Sequence, residues 1–374
     1  MKGTRVLVTG GAGFIGSHLV EALLQEGHAV RVVDTLVPQV HGTARKPKYL
    51  PKHVEFIKAD VRRPQTWQRA LKGIRVVFHQ AAAVGVGQSM YEITKYMDAN
   101  TMGTAALWQA LITGKCPAEK VIVASSMSIY GEGQYRCREH GAVFPALRPD
   151  VQLRRRDWEM RCPRCRAPAA AEPTPEAKPL MPTSVYAISK RDQEELSLSL
   201  GRAYGIPTVA LRYFNVYGPR QSLSNPYTGV AAIFSSRIRS GRSPVVFEDG
   251  RQSRDFVHVS DIVRANLLAM KQRSADHETF NVATGRATSV LEVAQLLTRC
   301  LQSTVRPTVT GKFRAGDIRH CVGDAQKIRT RLGFTPKVQF EDGLDDLIRW
   351  VQEEVAVDRV DRATKELATR GLVR

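Results

Sequence analysis

The chain has 374 residues, 43% of them hydrophobic, which supports a large packed core and excludes disordered and fibrous classes. Its formal charge of +19 comes from 55 lysines and arginines against 36 acidic residues, scattered along the chain with no nucleic-acid module beside them. A basic cleft for anionic small molecules is therefore expected, with no nucleic-acid partner.

In chain order, the N-terminal stretch runs at once into a strand, Arg5-Val6-Leu7-Val8-Thr9. It lacks the apolar stretch and cleavage site of a signal peptide, and no apolar run nears the roughly 18 residues of a membrane span. A cytoplasmic chain with no membrane partner is expected. The turn Gly10-Gly11-Ala12-Gly13-Phe14-Ile15-Gly16 follows, then a helix-like run to Leu24 and a second strand, Ala29 to Val33, ending at Asp34. This is the order that dinucleotide binding needs. Gly10 allows a tight turn, Gly13 lets the backbone approach a pyrophosphate, and Gly16 permits close helix packing. The free N–H groups of the helix start, at Phe14 and Ile15, face the phosphates. Asp34 would accept from the adenosine ribose and repel a 2′-phosphate, which selects NAD over NADP.

Further apolar runs, Val54 to Ile57, Val76 to His79 and Val121 to Ala124, alternate with helix-compatible sequence. The expected fold is α/β, a Rossmann-type doubly wound parallel sheet with a smaller C-terminal substrate-binding lobe. Asp60 and Val61, at a strand's carboxyl edge, suit adenine. Ala81 and Ala82 offer either a flat surface for the cofactor or an ordinary packed helix start.

Ser125-Ser126-Met127-Ser128 closes the fifth strand, and Tyr186-Ala187-Ile188-Ser189-Lys190 opens a later helix. A tyrosine and a lysine four apart share one helical face, and the ammonium would favour the phenolate. Together with the glycine turn they mark acid/base chemistry beside a nicotinamide.

These residues resemble the extended short-chain dehydrogenases/reductases, within the nucleotide-sugar epimerase/dehydratase group. The resemblance runs from Arg5 to about Leu347. Its further marks are His79-Gln80-Ala81-Ala82, Asn100-Thr101-Met102-Gly103-Thr104, Tyr130-Gly131, Arg212 to Arg220 and Arg254-Asp255-Phe256-Val257-His258-Val259. It implies that Tyr186 is the acid/base and that Lys190 holds the nicotinamide ribose. By the same token Ser126 partners the sugar O4, Asn100 lies at the cofactor, and Asn215, Arg254 and Arg314 contact the substrate diphosphate. For Arg254 an internal salt bridge with Asp255 or another acid is the alternative. A homodimer is implied too.

The partner implied is a nucleoside-diphosphate sugar, oxidised at C4. Relatives that remove water carry Asp-Glu after the active-site hydroxyl, and 3,5-epimerases a cysteine at position 128; here stand Met127 and Ser128. That leaves 4-epimerisation, with a 4,6-dehydratase or 4-ketoreductase of the same family as the alternative and a non-catalytic NAD-sensing regulator as one of another class. The stretch Arg220 to Val230 and the cysteine-bearing insert resemble a bacterial subgroup of dTDP-L-rhamnose 4-epimerases; other dTDP-, UDP- or GDP-hexoses fit the same chemistry.

Ser126 and Tyr186 stand 60 residues apart, far beyond the family's spacing. The insert, residues 132–180, holds Cys137-Arg138-Glu139-His140 and Cys162-Pro163-Arg164-Cys165. Two x₂ knuckles suit a structural zinc; a Cys162–Cys165 redox pair and plain thiols are the rivals. The insert has little core-forming pattern. The divisions expected are a cofactor domain, 1–205, a lobe, 206–350, with segments returning to the large sheet, and a charged terminal helix, 351–374, with no functional signal.

Overall fold

The computed structural model describes residues 3–42, 45–114, 116, 118–354 and 357–374. Met1 and Lys2, the lead-in to the first strand, and residues 355 and 356 of the expected terminal helix lie outside them.

The strands β1 (Arg5–Thr9), β2 (Ala29–Asp34), β3 (Glu55–Lys58), β4 (Val76–His79) and β5 (Lys120–Ser126) are short and β-branched, as strands covered on both faces must be. Between them lie α1 (Phe14–Gln25), α2 (Pro38–His41), α3 (Pro64–Ala70), α4 (Val86–Ser89), α5 (Ile93–Tyr96) and α6 (Gly103–Thr113). The insert follows as β6 (Gln134–Cys137), β7 (Gly141–Val143), α7 (Asp150–Arg154) and β8 (Ala170–Glu172). Then come α8 (Val185–Ala203) and β9 (Thr208–Tyr213). Ser184 caps α8, its hydroxyl accepting from the Ala187 N–H at 3.1 Å, and so fixes where the tyrosine-bearing helix begins.

The remaining elements are β10 (Asn215–Tyr217), α9 (Val230–Arg239), β11 (Val245–Val246), β12 (Ser253–Arg254), β13 (Phe256–His258), α10 (Val259–Lys271) and β14 (Thr279–Val282), and then β15 (Thr288–Ser289), α11 (Val290–Cys300), β16 (Thr308–Val309), β17 (His320–Cys321), α12 (Gln326–Leu332), α13 (Phe340–Glu353) and α14 (Val360–Thr369). The main sheet is parallel, in the order β14-β9-β5-β4-β1-β2-β3. Chain order reverses beside β1, flanked by β2 and β4, and this opens a crevice at the strands' carboxyl ends. Alternate residues serve the two faces: Val6 and Val8 pack with α1 and α10, Leu7 with Trp67 of α3 and Trp108 of α6. The elements β9, α10 and β14 pack with the large sheet.

The lobe has its own core, where Phe234, Val246, Leu297, Phe340, Leu344 and Leu347 meet. No helix among the described residues is long and apolar enough to cross a membrane.

Two expectations are corrected. The insert does have a core, in which Tyr135, Val143, Met160 and Ala169 surround Cys137 and Cys162. The tail is not one helix from Val351. Its apolar residues Phe340, Leu344, Leu347 and Val351 bury α13 as far as Glu353, α14 is separate, and residues 372–374 then pair with 313–315.

Candidate active site

One cavity of about 900 Å³ runs along the crevice from the glycine turn to the lobe. At its cofactor end Gly10 has φ +67°, and a β-carbon there would press on the Ala81 backbone at 2.9 Å. A β-carbon on Gly16 would strike the Gly10 carbonyl oxygen. Gly13 is the N-cap of α1 and has no side chain to cover the first turn, so Phe14, Ile15 and Gly16 line the cavity at the positive end of the helix. Asp34 accepts from the Ala12 N–H at 3.1 Å and the Leu36 N–H at 2.8 Å, which orients its carboxylate in the wall. Asp60, Val61, Ala81 and Ala82 also line it. Burial would push the Asp60 carboxyl up, but the Arg62 guanidinium, donating at 2.6–3.0 Å, holds it below its usual value.

Asn100 departs from its expected place. It is fully buried, its carbonyl accepts from Ala83 N–H at 2.7 Å, and its amide donates to the Ala83 carbonyl and to Ser189. With every polar atom engaged by protein, it braces the cofactor wall from behind and does not line it.

At the reacting centre Ser126, Tyr186 and Lys190 share the cavity wall where β5 ends against α8. The Tyr186 phenol lies within hydrogen-bonding reach of Ser126. Burial pushes that phenol above its ordinary value, and the Ser126 hydrogen bond only partly offsets it. The expected depression by Lys190 is therefore not seen. The lysine ammonium donates instead to the Ala124 carbonyl and to Gln193 at 2.7 Å. Burial brings the lysine itself down to about 7, against the pull of Glu194. Ser128 donates to the Ser126 hydroxyl at 2.9 Å and fixes its direction.

At the lobe end Asn215, Arg254 and Arg314 line the cavity. The Asn215 side-chain oxygen is buried without a protein partner. Arg254 does not pair with Asp255, whose carboxylate accepts from Thr284, Gly285 and Gly323. It pairs with Asp317 at 3.3 Å and donates to the carbonyls of Ser253, Arg319 and Ile318. Arg314 meets the other Asp317 oxygen at 2.7 Å and stacks over Phe247. Burial pushes the Asp317 carboxyl up, but Arg314 and Arg254 outweigh it and hold the group down. The lining carboxylates are Asp34, Asp60 and Asp317, and no cysteine lines the cavity. Met127 and Ser128 follow Ser126, so no carboxylic acid comes next in sequence; Glu194, which accepts from the neighbouring Ser125 at 2.6 Å, is buried and does not line the cavity.

The chain matches the model of the NAD dependent epimerase/dehydratase family over residues 6–149 and 163–283. It belongs to that family. The break falls at 150–162, inside the insert, and the match ends before the lobe's last helices. Within this epimerase/dehydratase family the chain is 34% identical to the dTDP-L-rhamnose 4-epimerase of Burkholderia thailandensis over 95% of its own length and 97% of the relative's. Among solved structures it resembles a UDP-glucose 4-epimerase from Thermotoga maritima with UDP-glucose, at 32% identity and TM-score 0.77, covering 94% of this chain and 99% of that one. The UDP-glucose 4-epimerase of Thermus thermophilus, in complex with NAD, is 30% identical with TM-score 0.74, covering 94% and 100%.

In this family member the insert brings Cys137, His140, Cys162 and Cys165 together, their ligand atoms all within 4.8 Å of one another. Cys137 Sγ lies 3.6 Å from both His140 Nδ1 and Cys165 Sγ, and Cys162 Sγ 3.6 Å from His140 Nδ1. A zinc tetrahedron with Zn–S of about 2.3 Å and Zn–N of about 2.0 Å has S···S edges of about 3.8 Å and S···N edges of about 3.5 Å. The three edges at 3.6 Å match it. Each knuckle ends in a left-handed residue, Gly141 at φ +66° and Arg166 at φ +63°, which turns the chain back toward the cluster.

Three functional neighbours escaped the sequence reading. Ser128 enters the sequence reading only where 3,5-epimerases carry a cysteine; Asp317 stands unremarked beside Arg314; and α14 is expected there to carry no functional signal, although Val360, Ala363, Thr364 and Leu367 line the cavity. The charge-rich composition of α14 hid its apolar face, which only a helical-period reading would have found.

Proposed function

We propose that this chain is an NAD-dependent nucleotide-sugar 4-epimerase. One observation carries the reading: Ser126, Tyr186 and Lys190 line one cavity together with a glycine turn built for a dinucleotide and an Asn215–Arg254–Arg314 cluster suited to a diphosphate, and among the described residues no acid lines that cavity beside Ser126. Gly10, Gly13 and Gly16 would hold the NAD pyrophosphate, and Asp34 its adenosine ribose. Bound there, NAD supplies the hydride acceptor and later the donor at sugar C4. Tyr186 takes the O4 proton while Ser126 positions that oxygen, and Lys190 lies where it can hold the nicotinamide ribose. Arg254 and Arg314 grip the phosphates, so the hexose turns about its phosphate linkage and presents its other face. Tyr186 then returns the proton. Water loss would need a proton carrier beside Ser126, and Met127 and Ser128 supply none.

A dTDP-linked deoxyhexose is the first substrate to test, because the Burkholderia relative bears that activity in its name. The experiment is incubation with dTDP-, UDP- and GDP-hexoses followed by separation of C4 epimers. Loss of water, or net consumption of NADH, would replace the reading with a dehydratase or a ketoreductase.

The insert we read as a structural zinc knuckle of Cys137, His140, Cys162 and Cys165, which leaves no open coordination position. Stoichiometric zinc in freshly purified protein tests it. Reduced thiols suit a cytoplasmic location. A homodimer is supported by Ile93, Met102 and Ile188, exposed on neighbouring helices, and is checked by mass in solution.

A further inference from the structure

The last seventeen residues cross the mouth of the cavity. At one end Asp358 and Asp361 pair with Arg237 of α9, at 3.3 and 2.6 Å, and Asp361 also meets Arg242 at 2.9 Å. At the other end Arg370 stacks over the Tyr91 ring at 4.4 Å, on the cofactor domain. The chain then pairs with the strand segment beside Arg314: Ala315 N–H donates to the Leu372 carbonyl at 2.9 Å, and the Phe313 and Arg374 backbones exchange bonds at 2.9 and 3.0 Å. The Arg374 side chain pairs with Asp150 of the insert. Anchored on both sides of the cleft, α14 turns its apolar face inward. Leu367 packs against Gly87, where a β-carbon would lie 3.4 Å away. Two residues on, the Ser89 hydroxyl accepts from the Tyr186 backbone N–H at 3.0 Å. The helix thus walls the stretch between the acid/base and Arg314.

We propose that this C-terminal strap keeps the oxidised sugar in the cleft between the two hydride transfers, with Leu367 as its principal contact to the hexose wall. The idea rests on the 4-epimerase reading and adds to it. After the first transfer the sugar carries a C4 ketone, its hydride resides on the coenzyme and its proton on Tyr186. The sugar must then turn over, so that end of the pocket cannot grip it by fixed hydrogen bonds. An apolar wall blocks exit without fixing orientation. If the ketone escapes, one sugar leaves oxidised and one coenzyme stays reduced and bound, so the enzyme stalls.

The test compares the full chain with one ending at Val357 and with full-length Leu367→Asp. Each is purified, checked for bound NAD and for its circular dichroism, and given a nucleotide sugar that the full chain converts. Two products are measured: ketone in the protein-free filtrate, trapped by borohydride, and reduced nicotinamide remaining on the protein. Burial of one leucine side chain weighs about tenfold in an opening equilibrium, so Leu367→Asp should raise the released ketone per turnover about tenfold, with matching reduced coenzyme and progressive stalling. Should the shortened chain fail to fold, the point variant decides. Variants that keep NAD and release no more ketone than the full chain overturn the strap while leaving the epimerase reading intact. A full chain that makes no C4 epimer from any sugar overturns both.

Discussion

Arg319→Met asks whether the insert and the lobe form one mechanical unit. Arg319 is 0% exposed, and its guanidinium meets Asp249 at 2.6 and 2.9 Å, Glu248 at 3.1 Å and Glu159 of the insert at 2.5 Å. Removing one member of a buried ion pair costs about 3–5 kcal/mol, because charge is left behind in a poorly solvated site. Here the lower value applies. Glu248, only 3% exposed, keeps its two-pronged pairing with Arg148 at 2.8 and 2.9 Å, while Asp249 and Glu159, 28% and 60% exposed, can return to water. Unfolding entropy of roughly 2.1 cal/mol/K per residue, over 374 residues, is about 0.8 kcal/mol/K, so a loss of about 3 kcal/mol lowers the midpoint by about 4 °C. Calorimetry reads that shift. Arg254 donates to the Arg319 carbonyl at 3.1 Å, so KM for the nucleotide sugar should rise several-fold while kcat holds. A midpoint shift below about 1 °C, with KM unchanged, would refute the account: the network would then be neither structural nor a support for the arginine.

Tyr186→Phe should fold and keep NAD while kcat falls about 10²- to 10⁴-fold; steady-state rates with a coenzyme assay check it. Gly16→Ala sets a methyl group against the Gly10 carbonyl, so the purified variant should carry little or no NAD. Glu159 is held down at about 2, first by its hydrogen bond to His320 and also by Arg319, with burial opposing. Its contribution to stability is full above its ordinary value of 4.5 and lost as pH falls toward 2, so Glu159→Gln should flatten the acid limb of urea midpoints across that window. Chelation, or Cys162→Ser, should release one zinc and lower the melting midpoint without displacing NAD; metal analysis and scanning fluorimetry read the two effects.

The cofactor half was readable because its chemistry is local. Gly10, Gly13, Gly16 and Asp34 sit within one strand-turn-helix-strand unit, where spacing alone sets geometry. The pairing of Tyr186 with Lys190 is local too, but the direction in which the lysine points is not. Its contact with the Ala124 carbonyl joins a strand and a helix 66 residues apart, and burial at that junction raises the tyrosine where a depression is expected. Asn100 misled for the same reason: a motif gives its neighbourhood, while burial decides that it braces Ala83. The insert looked coreless because its apolar residues are few and widely spaced, and only the two knuckles bring Tyr135, Met160 and Ala169 together.

On the proposed reading of Arg254 and Arg314, Asp317 explains how the lobe can grip one end of a substrate and leave the other free. Two guanidinium groups facing the same cleft repel each other and would swing toward solvent unless a counter-charge fixed them. Asp317 offers one oxygen to Arg254 and the other to Arg314, and three backbone carbonyls hold Arg254 from behind. The arrangement keeps one net positive charge and forks already aimed, so a diphosphate meets donors that need little reordering. Among the described residues no such arginine–carboxylate cluster stands beside Tyr186, where Val84, Val86 and Leu367 line the wall with Gln88 and Tyr227. A grip that is stiff at the phosphates and looser at the ring is what inversion requires: the anomeric oxygen becomes the pivot, and both faces of C4 can reach the same acid/base.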